Sequence, residues 1–595
     1  MQQQKFTFHG RLFGIFFVFS PLLIYAQSNT WGGGVGNIIY KNCATCHHPG
    51  AIGYQQTFLD FTNELSAYNS RSSIANVVSN QSMPPWMPDP NDKHFASERV
   101  LTAAEIADIQ TWAANSTYQN ATPPNPTPPT FPTGFTLPSS STATFDLAHS
   151  PYTVAENQSS DEYRNFAFTN TFSQTIYITK IEFLIPQTGA QVHHIALFKD
   201  QSGTHQSISN QGGNNGYTFN NSPGSIGNFS NSFVYSWVPG SGVFNMPCNF
   251  GLKLNPNENL VAQFHYPIYD NGGTALADAS QIRIQYTTAT TTREAFASVI
   301  IGGGNSSDWF TDATGSNLTQ NEQTGLAIAA NSIITKYRNV PVSAVNTISN
   351  SAISVIGVSP HMHLRGKAVE IYGAPTINGT KSNLVKINNW QLHWQETYIF
   401  QQPVKLNYTD KVFMTSTFDN TSANAELPPN AWNNAVTQGL STSDEMMVTI
   451  LLWCPYDASD ESMVLDPELP NALKADAGGP FSPHACSVTT IGGINTGTGG
   501  VAPLSYAWST ANGMFASGTN IANPSIYQQA QPSSYSVTVT DSKLCSATAS
   551  AAVSSTGTGF LKILNGNIGP EGVGDMRTRV LGDVSVDNMN YVYGI

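Results

Sequence analysis

Hydrophobic and polar residues recur with different periods along the chain, and the change of period separates two kinds of predicted structure. In the stretch LTAAEIADIQTWAANS, 101–116, apolar residues recur at helical spacing, and Thr102 with Glu105 has the pattern of a capping box. From about 140 to 460, short runs rich in Val, Ile, Thr, Tyr and Phe alternate with clusters of Gly, Asn and Pro. The pattern predicts a small helical domain followed by a long all-β region, best arranged as two β-sandwich subdomains.

Local composition gives the remaining boundaries. Lys5 and Arg11 are followed by an apolar run and a small-residue site near Ala26, which is the order of a secretory signal peptide. Prolines crowd the stretch before the β region and predict an extended spacer. We therefore predict a mainly β, multidomain chain with these parts: signal peptide 1–26, helical domain 27–118, Pro-rich linker 119–139, N-terminal β subdomain 140–295, C-terminal β subdomain 296–465, a further β module 475–555 and a tail of unknown role, 556–595.

Charge and hydropathy restrict the partners and the compartment. The 595 residues include 25 Lys and Arg against 38 Asp and Glu, which gives a net charge of -13. Because this balance offers no basic face for a phosphate backbone, we exclude nucleic acid as a partner. After the signal peptide no apolar run reaches the length of a membrane span. We expect a periplasmic, secreted or cell-surface protein without a transmembrane segment after cleavage.

The motif CATCH, 43–47, has the spacing by which two thiols attach a haem covalently. Cys43 and Cys46 would form the thioethers, and His47 would be the proximal iron ligand. The alternatives are a disulfide or half of a zinc site, but no second cysteine pair in the domain completes a zinc ligand set. The motif therefore predicts one covalently bound haem c.

The sixth iron ligand should lie downstream, in MPPWMP. Prolines keep this backbone extended, so Met83 is the preferred ligand. Together with MPPW and the helix that follows, the haem motif resembles a class I-like cytochrome c. Three weaker candidates for the sixth ligand stay open: Met87, His48 and His94.

Histidines in the β region form a second set of candidates for metal binding. His361 and His363 are two residues apart, so on one strand they share a face and can reach one metal, although exposed polar residues alternate in the same way. His193 and His194 are adjacent and would face opposite ways on a regular strand, so a shared metal would require a local twist or bulge. The alternative is one core and one solvated histidine. His265 lies in another apolar strand.

A methionine changes the interpretation of these histidines. Met446 stands at the start of a predicted strand, downstream of the His-x-His pair. Two imidazoles and a thioether suit copper that must visit the Cu(I) state, because soft sulfur favours the reduced metal. The ligand types therefore predict a redox role.

The ordered series of His193-His194, His265, His361-x-His363 and Met446 resembles the copper type II, ascorbate-dependent monooxygenases, the family of peptidylglycine α-hydroxylating and dopamine β-monooxygenases. The flanking stretches DEYRNFAF, SWVPG, LRGK, WQETYIF and FDNT agree with it. The resemblance implies two β-sandwich subdomains with one copper each, facing a wet cleft. It also implies an electron-transfer copper on His193, His194 and His265, a catalytic, oxygen-binding copper on His361, His363 and Met446, and a cleft-lining Gln263.

Some positions depart from the family pattern. Ser359 stands where the amidating relative keeps an arginine that binds the substrate carboxylate. Val448 and Ile450 stand where that relative keeps an asparagine and a tyrosine that assist the arginine. Without a bidentate cation, an anionic peptide loses its anchor, so we expect a less charged substrate. Cys248 and Cys454 are the cysteines of this region, and they would either pair or remain as two buried thiols.

The C-terminal module resembles a PKD-type, immunoglobulin-like domain of secreted bacterial proteins, on the stretches ADAGGPF, APLSYAWS, ANPSIY and SYSVTVTDSKLCSATAS. Cys486 and Cys545 bracket it, which favours a disulfide between them. Such modules act as spacers or adhesion units, so we expect no chemistry there.

Together these features predict an exported bacterial copper monooxygenase that hydroxylates an activated C–H bond of a small organic substrate with O2. Electrons would come from ascorbate, from its own haem domain or from an external donor. The alternative is a non-catalytic haem and copper protein for electron transfer or copper binding at the cell surface. The discriminating feature is an open coordination position at the Met446 copper.

Overall fold

The computed structural model describes residues 30–49, 51, 57–115, 125–139, 143–154, 161–185, 192–203, 205, 216–218, 232–238, 240–266, 276–301, 310–316, 318, 325–482, 488–527, 532–554, 584–586 and 592–594. The predicted signal peptide, Cys486 and most of the tail lie outside these residues. Contacts divide the chain into two compact units, Met1–Trp86 with Arg99–Pro132, and Met87–Glu98 with Thr133–Ile595.

The first unit is helical, as its periodicity predicts. Its last helix begins with the expected capping box, in which the Glu105 backbone N–H donates to Thr102 Oγ1 at 3.2 Å and the Thr102 N–H donates to the Glu105 carboxylate at 2.8 Å. Trp31, Ile39 and Ile109 are almost fully buried in one core. The helices are α1 Val35–Asn42, α2 Glu64–Asn69, α3 Arg71–Ser79 and α4 Ala103–Ala114. No helix among the described residues is both long and apolar enough to cross a membrane.

The second unit is a mainly β structure with several antiparallel sheets. Its first strands are β1 Thr144–Ala148, β2 Tyr152–Val154, β3 Glu162–Phe168, β4 Ile176–Leu184, β5 His194–Asp200, β6 Tyr217–Thr218, β7 Phe233–Trp237, β8 Phe244–Asn245, β9 Phe250–Leu254, β10 Asn259–Tyr266, β11 Leu276–Asp278 and β12 Gln281–Thr287. The next are β13 Arg293–Ile301, β14 Phe310–Thr311, β15 Ala327–Ile328, β16 Ser332–Pro341, β17 Ile353–His361, β18 Gly366–Ala374, β19 Ser382–Ile387, β20 Tyr398–Leu406, β21 Lys411–Asn420, β22 Val436–Thr437 and β23 Val448–Pro455. A short helix, α5, spans Val342–Val345.

One nine-stranded sheet runs through both β subdomains, in the order β1-β12-β4-β9-β13-β23-β17-β20, with β8 on β4. Two five-stranded sheets accompany it, β6-β3-β10-β5-β7 and β14-β16-β21-β18-β19. Ile178 and Ile284 of the long sheet share a core with Leu197 and Phe264 of the first five-stranded sheet. In the second half, the Thr449 hydroxyl donates to Met414 Sδ of β21. The long sheet therefore packs against the first five-stranded sheet, and its strand β23 contacts β21 of the second.

The described part of the Pro-rich spacer, 125–139, is mostly exposed and makes a few specific contacts. In the first unit, the Phe131 ring stacks on the His48 ring with centroids 3.7 Å apart. In the second unit, the backbone N–H groups of Thr136 and Leu137 each donate to the Glu182 carboxylate at 2.8 Å. These contacts hold parts of the spacer on the unit to which each part belongs.

The C-terminal module has its own core around Trp508, Tyr535 and Val537. Its strands are β24 Lys474–Ala475, β25 Val488–Thr490, β26 Gly497–Thr498, β27 Ser505–Thr510, β28 Ser525–Tyr527, β29 Ser533–Thr540 and β30 Ser546–Val553, and β31 Val584–Val586 pairs with β32 Val592–Gly594 in the tail.

A disulfide joins this module to the N-terminal β subdomain. Cys545 pairs with Cys248, so the expected pairing of Cys545 with Cys486 is wrong. The physical reason is that Cys545 packs into the core that contains Leu197 and Phe264, against which Cys248 also packs. Cys454 is buried and outside any disulfide, so neither alternative for Cys248 and Cys454 holds: they do not pair, and only Cys454 remains a thiol.

Candidate metal centres

Three histidines meet on one face of the first five-stranded sheet. His265 lies in β10 and is directly opposite His194 of β5. His193 stands just before β5, and its backbone N–H donates to the His265 carbonyl at 2.9 Å. Because the regular strand begins only at His194, both adjacent rings can turn to His265 without a bulge inside β5.

The Nδ1 atoms of these three rings converge. The distance is 3.1 Å from His193 to His194, 3.2 Å from His193 to His265 and 3.3 Å from His194 to His265. Burial and the neighbouring imidazoles hold the pKa of His194 well below its usual range, so its ring is neutral and keeps a lone pair for a metal. Three imidazole nitrogens in this arrangement fit a copper ion.

Two side chains support His265 from behind. The Tyr163 ring stacks on the His265 ring with centroids 4.3 Å apart and 3° between the planes. Asp161 Oδ2 lies 3.6 Å from His265 Nε2, and both side chains are only 1% exposed. Sequence reasoning quoted DEYRNFAF only as a flanking motif and gave Asp161 and Tyr163 no role.

A neighbouring amide pair occupies the same face as His265. Gln263 is two residues before His265 in β10, and its Nε2 donates to Asn165 Oδ1 at 3.1 Å. Asn165 is fully buried in β3, directly opposite Gln263. This arrangement places Gln263 beside the histidine cluster.

The second histidine pair lies where β17 ends. His361 is the last residue of β17, and His363 follows in the turn, yet the two ring centroids are only 5.0 Å apart. His361 Nδ1 contacts Gln395 Oε1, and His363 Nδ1 contacts the Asp444 carbonyl at 3.3 Å. Since both partners only accept, each Nδ1 carries the proton and each Nε2 is left for a metal.

The pKa values of these two histidines keep the rings neutral. Burial lowers the pKa of His361 to about 4 and holds the pKa of His363 well below its usual range. A metal binds only the neutral form of imidazole. Because both rings are already neutral near pH 7, neither has to release a proton before a metal can bind.

A buried carboxylate, which sequence reasoning did not single out, ties Met446 to the His-x-His turn. Glu445 accepts the backbone N–H of Met446 at 2.9 Å, that of Arg365 at 2.9 Å and that of His363. Burial raises the pKa of Glu445 to about 7, against the opposing effect of these N–H donors. Met446 is half-buried and precedes β23.

The two histidine sets adjoin each other. The ring centroids of His194 and His361 are 6.5 Å apart, so one candidate ligand of each set lies next to one of the other.

The residues that depart from the family pattern share the face of His361. In the antiparallel pair β17 and β23, Ser359 is opposite Ile450 and His361 is opposite Val448. Directly opposite residues point to the same face, so the surface beside His361 carries a hydroxyl and two apolar side chains. It carries no cation at these positions.

The haem motif follows α1 in the first unit. Cys43 and Cys46 are not in a disulfide, and burial raises the pKa of Cys43 to about 12. The His47 ring is largely buried, and its Nδ1 lies 3.4 Å from Thr57 Oγ1, which leaves Nε2 for iron. Two thiols one turn apart with an adjacent imidazole are a donor set that fits a covalently attached haem.

The candidates for the sixth iron ligand separate in the structure. Met87 Sδ accepts the Gln391 backbone N–H at 3.2 Å, and His94 Nδ1 lies 3.0 Å from the Glu98 carboxylate, both within the second unit. His48 Nδ1 contacts the Ala44 carbonyl at 2.8 Å. Met83 lies in the first unit with the haem motif and is half-buried.

Two family models match the chain. "Copper type II ascorbate-dependent monooxygenase, N-terminal domain" matches residues 145–271, and "Copper type II ascorbate-dependent monooxygenase, C-terminal domain" matches residues 327–466. No curated protein matches. Among solved structures, "Structure of infectious bursal disease virus Gx strain" is 10% identical, covers 55% of this chain and 75% of that chain, and has a TM-score of 0.12, which carries no argument.

The matched domains contain the two histidine sets described above. The first domain includes His193, His194 and His265, and the second includes His361, His363 and Met446. A domain pair of this kind indicates an enzyme and argues against a protein that only stores copper or passes electrons. The chain therefore carries the N- and C-terminal domains of the copper type II, ascorbate-dependent monooxygenases and is a monooxygenase.

Proposed function

We propose that the protein is an exported enzyme that hydroxylates an activated C–H bond of a small, largely uncharged organic substrate with O2. The observation that carries the proposal is the pair of adjoining histidine sets, 6.5 Å apart between the His194 and His361 rings, in the two matched domains. The disulfide between Cys248 and Cys545 supports export, because such bonds persist in oxidising compartments.

The two sets would divide the work between two copper ions. His193, His194 and His265 would hold the copper that transfers electrons, and His361, His363 and Met446 would hold the copper that binds O2 during catalysis. Copper supplies one-electron chemistry at the first set and O2 reduction at the second.

The protein's own groups prepare these ligands. Gln395 and the Asp444 carbonyl keep the protons of His361 and His363 on Nδ1. Glu445 holds the backbone of Met446 beside the same turn. The deep burial of the His363 and His265 rings excludes water from one side of each set.

The surface beside His361 indicates the substrate class. Ser359, Val448 and Ile450 supply one hydroxyl and two apolar side chains on the face that bears His361. Such a surface lacks the paired donors that would hold a carboxylate, so it favours neutral, apolar substrates such as benzylic compounds.

The first unit would carry a haem c that supplies electrons together with ascorbate or an external donor. Cys43 and Cys46 would form the thioethers, and His47 and Met83 would be the axial ligands. Support comes from the two thiols outside any disulfide, the buried His47 ring and the engagement of Met87 with Gln391 in the second unit.

A spectroscopic comparison tests this haem assignment. The full-length Met83→Ala variant should lose the far-red absorption of methionine-ligated ferric haem, whereas Met87→Ala should keep it. Stopped-flow mixing of the reduced haem with O2 and substrate should oxidise the haem when copper is loaded. An inert haem would overturn its role as an electron donor.

The C-terminal module would be a PKD-type domain that supports the enzyme rather than a mobile spacer. Its disulfide to Cys248 supports this role, as does the Lys543–Asp457 ion pair at 2.9 Å.

Two neighbouring methionines allow a matched test of the oxygen site. Met446→Ile should abolish substrate-dependent O2 uptake while copper stays at the three-histidine site. Met447→Ile makes the same change at the next, fully buried residue and should keep most turnover. Unchanged O2 uptake in Met446→Ile, or equal losses in both variants, would defeat the assignment.

A further inference from the structure

We infer that Asp161 is a positioning residue that serves both candidate metal sites at once, through His265 and through the loop Leu440–Met446, called the methionine loop below. The inference rests on the ligand sets of the proposed function. Its test also includes a metal-free measurement, so the two can fail separately.

The first part of the argument concerns His265. Its Nδ1 points at His193 and His194, so the proton of the neutral ring lies on Nε2 when a metal binds. Asp161 Oδ2 is the carboxylate oxygen at that nitrogen, at 3.6 Å, and both side chains are buried. A carboxylate behind a ligating imidazole fixes its tautomer and increases its basicity.

The second part concerns the methionine loop. The same Asp161 Oδ2 accepts the Thr442 backbone N–H at 2.8 Å, the Thr442 hydroxyl at 2.5 Å and the Ser441 hydroxyl at 3.4 Å. Next to it, the Tyr163 hydroxyl donates to the Leu440 carbonyl at 2.6 Å. Asp161, just before β3, and Tyr163, within β3, therefore hold the beginning of a loop that belongs to the other subdomain.

The end of the methionine loop reaches the second histidine pair. The Asp444 carbonyl contacts His363 Nδ1, and Glu445 holds the backbone N–H groups of His363 and Met446. A continuous series of contacts thus runs from His265 through Asp161 and Thr442 to His363.

This connection has a specific consequence. The charge on Asp161 is shared between His265 and the loop, so neutralising it should weaken metal binding at the first site and loosen the loop that carries Met446. A side chain that matters only for local packing would not change both properties together.

Three variants of the full-length chain separate these effects. Asp161→Asn neutralises the shared carboxylate. Thr442→Val removes one donor to it and leaves His265 untouched. Asp278→Asn is the matched control, because Asp278 is also 1% exposed and also lies 3.6 Å from a histidine Nε2, that of His149, which is outside both sets.

Two measurements apply to each variant. Cu(II) affinity of the three-histidine site is measured by chelator competition and by the nitrogen hyperfine pattern in electron paramagnetic resonance, in a His361→Ala background. Hydrogen–deuterium exchange of the methionine loop is measured without metal.

Asp161→Asn should weaken Cu(II) binding about 10–100-fold and speed loop exchange about tenfold or more. Thr442→Val should speed loop exchange and leave Cu(II) affinity unchanged, and Asp278→Asn should change neither property. If Asp161→Asn does not fold, Asp161→Glu replaces it, and it should show both losses to a smaller extent.

The inference is overturned if the Asp161 variants match Asp278→Asn in both measurements, or if Thr442→Val leaves loop exchange unaltered. A wild-type protein that binds no Cu(II) at the three histidines would refute the proposed function, while loop exchange in the metal-free protein would still decide the structural link.

Discussion

Removal of the disulfide between the C-terminal module and the β subdomain should destabilise the folded chain strongly. Cys248 and Cys545 are separated by 297 residues in sequence. For a closed loop of about 300 residues, loop-closure entropy alone gives roughly 6 kcal/mol at 25 °C, an upper bound because other contacts also restrain the module. Those contacts are the Lys543–Asp457 ion pair and the bond from Asn249 Nδ2 to the Lys543 carbonyl at 3.0 Å.

We therefore expect the Cys248→Ser/Cys545→Ser variant to lose about 2–5 kcal/mol of unfolding free energy. Urea unfolding followed by tryptophan fluorescence measures the loss, with limited proteolysis to detect release of the module. Each single variant should lose about as much as the double variant, because either one breaks the crosslink. Cys454→Ser controls for loss of a buried thiol without loss of the crosslink.

An unchanged free energy of unfolding in the double variant would refute the view that this bond fixes the module to the enzyme. A loss confined to one single variant would instead assign the effect to packing at that cysteine.

Further expectations concern the histidine supports. Gln395→Leu removes the acceptor of His361 Nδ1 and should weaken metal binding at the second site about 10–100-fold in Cu(I) chelator competition, and unchanged affinity would contradict the assigned tautomer. The pKa of His361 is about 4 in the folded chain and about 6.5 in the unfolded chain. As the pH falls from about 6.5 to 4, the unfolded chain therefore binds a proton that the folded chain does not, and the free energy of unfolding decreases by up to ~3 kcal/mol. Glu445, whose pKa is raised to about 7 in the folded chain, has the opposite effect: it increases the free energy of unfolding as the pH falls from about 7 to 4.5. The pH slope of urea unfolding in the metal-free protein should therefore be smaller in His361→Gln than in the wild type, and equal slopes would contradict the neutral, buried ring. Ser359→Arg should shift preference toward carboxylate-bearing substrates in O2-uptake assays, and no shift would place the substrate away from this face.

The candidate metal ligands could be proposed from sequence, because their types and short spacings are informative by themselves. Two histidines two residues apart and a thioether before a predicted strand suggest copper without knowledge of the fold, although the structure places only His361 in β17 and His363 beyond its end. The capping box at Thr102 and the change to β periodicity were likewise local signals, and the structure confirms both.

The supporting residues could not be predicted, because each contacts its partner only after distant strands come together. Asp161 reaches Thr442 across 281 positions, and Glu445 reaches His363 across 82. Carboxylates are common at the surface, so nothing in the local sequence marks these two as buried. The Cys486–Cys545 expectation failed for the same reason, since nearness in sequence was used in place of nearness in the fold.

Oxygen-isotope labelling during turnover tests the central claim most directly. The copper-loaded full-length protein is supplied with ascorbate, 18O2 and a small library of neutral benzylic substrates, and the products are analysed by mass spectrometry. A two-copper monooxygenase predicts one labelled oxygen atom in each hydroxylated product, with no product in the Met446→Ile variant. Consumption of O2 without a labelled product, or the same labelled product from Met446→Ile, would contradict the account.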